Sequence, residues 1–337
     1  MKPVVCFGEM LLRISAPGRD PLLRVPALEA HVGGAEANVA VSLACFGHAT
    51  RMVTVLPDNP LGDACIGELR RHGVDTSAIL RTTGRLGLYF LNPAAMLRPA
   101  QVIYDRAGSA FAHAAPSTYD WTSLLRDAGW LHLTGITPAL SDATSRALDD
   151  AMTTATRLGV PISFDCNFRP SLWRDREAQA VTVLREFAQR AQLLLGGALD
   201  VAKLFGQDYT SEPPAAAFEL AAGAVLAACP RVERLAATHR VVHSTDHHEL
   251  TGYLADRQGA VSSRMFTLNP IVDRIGGGDA YAAGVIHGLR TGLGRQQIVD
   301  FAAAAGALKH SISGDFSIFS AADVTRLLDS GGSDVQR

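Results

Sequence analysis

Short apolar runs recur along this chain, each too brief for a helix and most followed by a longer Ala- and Leu-rich stretch. The runs at 4–7, 52–55, 130–133, 162–164, 193–195 and 235–237 predict β-strands. Helices are predicted at 35–46, 62–72, 142–158, 177–191 and 215–229. Strands alternating with helices imply βαβ units and an α/β fold, a mostly parallel central sheet sandwiched by helices. After Ser244 the order changes. Residues 250–255 and 261–268 read as strands joined near Gly259, an antiparallel finish, followed by helices at 280–289, 295–309 and 321–328. The tail 329–337, rich in Gly, Ser and Asp, is expected to fray.

Two segments break the rhythm. Residues 11–32 and 85–106 hold short alternating stretches among many turn residues, including Pro17, Gly18, Pro21, Pro26, Asn92, Pro93 and Pro99. They read as antiparallel strands outside the main sheet, either a small β-sheet lid closing over a site or ordinary surface hairpins. The 337 residues are read as a single domain, 1–337, with this excursion.

Composition removes several function classes. A net charge of −2 without a Lys/Arg cluster argues against nucleic acid or an anionic membrane as partner. Five scattered cysteines, with no C-x-x-C pair, suit reduced thiols. No uncharged apolar run approaches a membrane span, and Met1-Lys2-Pro3 leads straight into a strand-like run. A cytoplasmic protein is the expectation.

The chemistry is concentrated in Asp273-Arg274-Ile275-Gly276-Gly277-Gly278-Asp279-Ala280-Tyr281. The apolar run after these glycines reads as a buried helix, which places Gly276, Gly277 and Gly278 at its first turn. Free N–H groups and the helix dipole there form a phosphate site. Asp279 is the only charged residue between Arg274 and Arg290. An isolated carboxylate beside an anion hole suits phosphoryl transfer, and the alternative is a tight loop with an Asp cap. A dinucleotide loop is disfavoured, because the spacing is not G-x-G-x-x-G and the motif lies far from the first strand. A second pair, Gly33-Gly34, opens another small-residue helix, with Asn38 one turn in and able to meet sugar hydroxyls.

The order Gly8-Glu9, Gly33-Gly34-x-x-x-Asn38, Asp165-x-Asn167 and the C-terminal Gly-Gly-Gly-Asp resembles the ribokinase-like (PfkB-type) carbohydrate kinases over nearly the whole chain. The resemblance implies Asp279 as catalytic base, Gly276–Gly278 as anion hole, and ATP with Mg²⁺ as phosphoryl donor. It also makes the off-sheet segments a lid that carries the contact of a dimer or higher homo-oligomer.

Further runs are similar to 2-keto-3-deoxygluconate kinases: Tyr104-Asp105-Arg106-Ala107-Gly108, Asp165-Cys166-Asn167-Phe168-Arg169-Pro170 and Gly314-Asp315-Phe316. That substrate carries a carboxylate, which two arginines can grip and a neutral sugar would not require. The resemblance assigns this to Arg106 and Arg169. It brings Tyr89 and Tyr104 in from the lid, lines the pocket with Asp315, and gives Gly34 and Asn38 to the sugar hydroxyls.

On the nucleotide side it implies Asp165, Asn167, Thr238 and Arg240, and loosely sets Ala303, Ala307 and Lys309 beside the adenine. Where the family has Asn-x-x-Glu near the metal, this chain reads Gly197-Ala198-Leu199-Asp200. No direct metal ligand is therefore expected, only Asp200 acting through water. The histidines His243, His247 and His248 are expected in a solvated loop rather than a metal site. Two alternatives stay open: a kinase of a neutral sugar such as fructose, and a binding protein without turnover.

Overall fold

The computed structural model describes residues 1–173 and 176–330. Residues 331–337 of the expected frayed tail lie outside the described residues, while 329 and 330 continue the last helix, Ala321–Ser330. Among the described residues the strands in chain order are β1 (Val4–Phe7), β2 (Leu11–Ser15), β3 (Glu29–Gly33), β4 (Thr50–Pro57) and β5 (Ile79–Thr82). They continue with β6 (Gly87–Asn92), β7 (Gln101–Asp105), β8 (Trp130–Thr134), β9 (Ile162–Asp165) and β10 (Leu193–Leu195). The last are β11 (Arg234–Val242), β12 (His248–Asp256), β13 (Gly259–Ser262) and β14 (Phe266–Leu268).

One sheet runs β13-β12-β11-β10-β9-β8-β1-β4-β5, with β14 also paired to β12. From β11 to β5 every pairing is parallel, and the β11–β12, β12–β13 and β12–β14 pairings are antiparallel. Both faces of the parallel strands are buried. In β1, Val5 and Phe7 enter one core while Val4 and Cys6 enter the other. Two-sided burial makes such strands read as continuous apolar runs, which is why they could be found in the sequence.

The smaller sheet has the order β3-β2-β6-β7 and joins the two off-sheet segments. Its outer pairings are antiparallel as expected, but the central β2–β6 pairing is parallel, Leu11 opposite Gly87 through Ser15 opposite Leu91. Two segments separated by the β4 and β5 region approach the same seam from the same direction, a relationship that no local turn signal encodes. The 261–268 region also divides into two strands, both paired with β12.

Short elements escaped the sequence reading: β5 and the helices Ala110–His113, Trp121–Leu125, Thr137–Leu140 and Ala198–Phe205. Too short for a periodic pattern, two of them start from local caps, Ser109 accepting from the Ala112 N–H and Asp120 from the Ser123 N–H. The histidine expectation fails at one position. His248 is fully buried in β12, whereas His243 is exposed and pairs with Glu249 at 3.3 Å.

Candidate active site

A cleft of about 1430 Å³ lies between the two sheets, at the carboxyl ends of the parallel strands. The β1 end delivers Gly8-Glu9, the β9 end delivers Asp165, and β2 and β6 of the small sheet bring Arg13 and Tyr89 from above.

The glycine run is built as its residues imply. Gly276 caps the Gly277–Thr291 helix at φ +83°, where a Cβ would stand 2.0 Å from the Asp315 carbonyl oxygen. The first helical bond is Ala280 N–H to Gly276 O at 2.9 Å, so the N–H groups of Gly277, Gly278 and Asp279 have no helical acceptor. Across the cleft, Gly34 caps the Ala35–Cys45 helix at φ +150°, with the Glu9 carbonyl 2.4 Å from any added Cβ.

These helix starts meet through side chains. Asn38 Nδ2 donates to Asp279 Oδ2 at 2.6 Å, and Asn38 is 3% exposed. Burial pushes the Asp279 carboxyl up to about 6, opposed by the Asn38 hydrogen bond and the charges of Arg169 and Lys309. Asn38 was expected to serve sugar hydroxyls; its amide is engaged by the carboxylate, and its Oδ1 has no partner among the described residues.

On the small sheet, Arg13 Nη2 donates to Asp273 Oδ2 at 2.6 Å and its Nε stands 3.3 Å from Asp315 Oδ1. Tyr89 donates its hydroxyl to Asp315 Oδ2 at 2.7 Å. Tyr89 and Asp315 thus line the cleft as expected, yet each is held by the other. Arg106 also lines the cleft while paired. Its Nε and Nη2 lie 2.6 and 2.5 Å from Glu9 Oε2, a buried ion pair joining the end of β7 to the end of β1. Its guanidinium also lies 5.7 Å from the Tyr104 ring centroid. Arg169, by contrast, is exposed on the cleft wall and makes no side-chain hydrogen bond among the described residues.

Thr238 and Arg240 of β11 also line the cleft, with Asp165 and Asn167 at the β9 end. Arg240 has Arg274 as its charged neighbour, and burial with this like charge lowers its pKa. Asp165 Oδ1 accepts from the Asn167 N–H at 3.0 Å. Its carboxyl is pushed up to about 8 by burial and by Asp279 and Asp200, against the pull of Arg169.

Asp200 is engaged locally. Its Oδ2 accepts the Gly197 N–H at 2.8 Å, so the carboxylate caps its own Ala198–Phe205 helix. The cleft lining includes the expected catalytic, sugar-side and phosphate-side residues, whereas Asp200, Ala303, Ala307 and Lys309 do not line it. Lys309 is fully buried beneath Gly276. Arg13 was missed by sequence reading, Glu9 was named there only within a motif and without its ion pair, and Lys309 was named without its buried charge cluster. Arg13 did leave a trace: it shares strand parity with Leu11 and Ser15, an inward charge in a buried strand.

The family model of pfkB family carbohydrate kinases matches residues 1–241. The chain is 30% identical over 334 residues to the 2-dehydro-3-deoxygalactonokinase of Haloferax volcanii, covering 99% of each protein. It is 30% identical over 318 residues to the 2-dehydro-3-deoxygluconokinase of Bacillus subtilis, covering 92% of this chain and 90% of that one. Among solved structures, the 2-dehydro-3-deoxygluconokinase of Thermotoga maritima superposes with a TM-score of 0.93 at 35% identity, covering 98% of this chain and 100% of that one. A model match over residues 1–241 and full-length relatives at this identity agree with the paired helix starts, and the chain belongs to the pfkB family of carbohydrate kinases.

Proposed function

We propose that this chain transfers the γ-phosphoryl group of ATP to a hydroxyl of a 2-keto-3-deoxy sugar acid (in systematic naming, a 2-dehydro-3-deoxy acid). The observation that carries this reading is one cleft lined both by a carboxylate beside a row of N–H groups without helical acceptors and by Arg169, which makes no side-chain hydrogen bond among the described residues. Asp279 accepts the proton of the attacking hydroxyl while Gly276–Gly278 hold the transferring group, and a base of modest strength suffices in a loose transition state. Arg169 grips the substrate carboxylate. Arg106 adds its Nη1, the nitrogen that Glu9 leaves free, and Tyr104 closes the lid side.

Arg240 and Thr238 face the nucleotide phosphates, with Asn167 beside them. Magnesium fits this site as a partner of those phosphates: Asp165 keeps one oxygen unbonded and is crowded by two other carboxylates, a repulsion a cation relieves. Among the described residues no cluster of His, Cys, Asp or Glu forms a metal cage, and Asp200 is engaged as a cap, so contact from Asp200 would pass through water. When bound, the ion supplies charge neutralisation at the β- and γ-phosphates.

Among the described residues no helix is long and apolar enough to cross a membrane. Cytoplasmic location and pairing of copies through the lid, whose outer strand exposes Val102 and Ile103, complete the proposal.

A coupled ADP-release assay with keto-deoxy sugar acids and ATP-Mg²⁺ tests the function. Turnover that is lost in Asp279→Asn supports it. Tight sugar-acid binding without turnover in the wild-type chain would make the protein a binder and overturn it.

A further inference from the structure

Lys309 ends the Arg295–Lys309 helix with 0% exposure, a setting in which lysine is rarely found unless paired. Its ammonium donates to the Ile312 carbonyl at 3.1 Å, which occupies one of three N–H donors. The remaining stabilisation must come from charge, because an isolated buried ammonium is strongly unfavourable. Burial lowers the Lys309 pKa and Arg13 adds to that, while three carboxylates, Asp273, Asp315 and Asp279, pull the other way and favour the ammonium. Arg13 bridges Asp273 and Asp315, two negative charges against one positive, and Lys309 balances the remainder.

Its position joins this cluster to the phosphoryl site. A Cβ on Gly276 would lie 3.3 Å from Lys309 Cε, so the side chain runs directly behind the residue that opens the anion hole. Lys309 does not line the cleft, and neither sugar nor nucleotide can touch it.

We infer that Lys309 is a positioning residue for phosphoryl transfer, a resident cation behind the Gly276–Gly278 loop that keeps the Asp279 carboxylate ionised without contacting either substrate. The inference rests on the reading of Asp279 as base. The groups that face Asp279 are Asn38 from the Ala35–Cys45 helix, Asp165 and Arg169 from the β9 end, and Lys309 from the Arg295–Lys309 helix. Of the two cations, Arg169 has the larger pull on Asp279 and is solvent-exposed on the cleft wall, while Lys309 adds a smaller pull from a fully buried position that no solvent reaches. Its charge draws the Asp279 and Asp315 carboxyls down, against the upward push of burial.

The test compares Lys309→Met, close in volume and uncharged, with the wild-type chain. Expected are a kcat lower by on the order of 10²-fold, as when one preorganised group is lost at a transition state, and a sugar-acid KM changed by less than about threefold. The acid limb of the kcat profile should move upward by about one pH unit, the effect of a removed neighbouring charge. Ethylammonium added to Lys309→Ala should restore part of the rate. A purely structural role would show neither the shifted limb nor the amine response, and that result overturns the inference. If Lys309→Met does not fold, Lys309→Gln is read by the same limb. Asp279→Asn is assayed alongside: wild-type turnover there removes the base itself, whereas lost turnover there with an unshifted Lys309→Met limb removes only the role of Lys309.

Discussion

Asn38 and Asp279, 241 residues apart in sequence, are joined by a 2.6 Å hydrogen bond between the first turns of two helices. The bond fixes the carboxylate rotamer and leaves Oδ1 of Asp279 free toward the cleft. Asn38→Ala is predicted to lower kcat about 10- to 100-fold, the equivalent of one hydrogen bond to a charged group. It should also move the acid limb upward, because that bond lowers the Asp279 pKa. Steady-state kinetics across pH would show both effects.

For the wild-type chain the pH dependence has a definite sign. As proposed, Asp279 acts in its ionised form, and burial pushes its pKa up to about 6, so kcat should rise as pH increases through about 6. A rate flat from pH 5 to 8 would separate Asp279 from proton transfer.

The two arginines should behave differently. Arg169 is unpaired among the described residues, so Arg169→Ala is predicted to raise the sugar-acid KM about tenfold or more with little change in thermal stability. Arg106 is half of a buried pair with Glu9. Removing either partner strands a charge, and Glu9→Ala should cost about 3–5 kcal/mol of stability, measured by denaturant unfolding. Equal thermal shifts in Arg106→Ala and Arg169→Ala would contradict this division.

Asp165 carries a stability prediction. Its folded pKa, about 8, lies above the ordinary carboxylate value, so between the two the folded chain binds more protons than the unfolded chain. Stability therefore falls as pH rises through that window. Asp165→Asn should raise the melting temperature of the ligand-free chain by on the order of a few °C at pH 8 and by less at pH 5. Magnesium with nucleotide should reduce the difference.

The parallel sheet was legible because strands such as β1 and β8 are buried on both faces and leave uninterrupted apolar runs. Asp279 and its glycines were legible because an isolated charge follows a local backbone motif. What escaped depends on contacts distant in sequence. The parallel β2–β6 seam, the Glu9–Arg106 pair at a separation of 97 residues and the Arg13 bridge each join segments with no local pattern in common. The cap made by Asp200 was hidden for a similar reason: a carboxylate three residues after a glycine serves as helix cap, as metal neighbour or as both, and only the structure shows the 2.8 Å bond to Gly197.

The most direct test is the ratio of kcat/KM for 2-keto-3-deoxygluconate to that for fructose, measured in the wild-type chain and in Arg169→Ala. The predicted result is a strong preference for the acid that collapses by about tenfold or more in the variant, because only the charged substrate loses a partner. A wild-type preference for fructose, or a ratio unmoved by the substitution, would contradict the account.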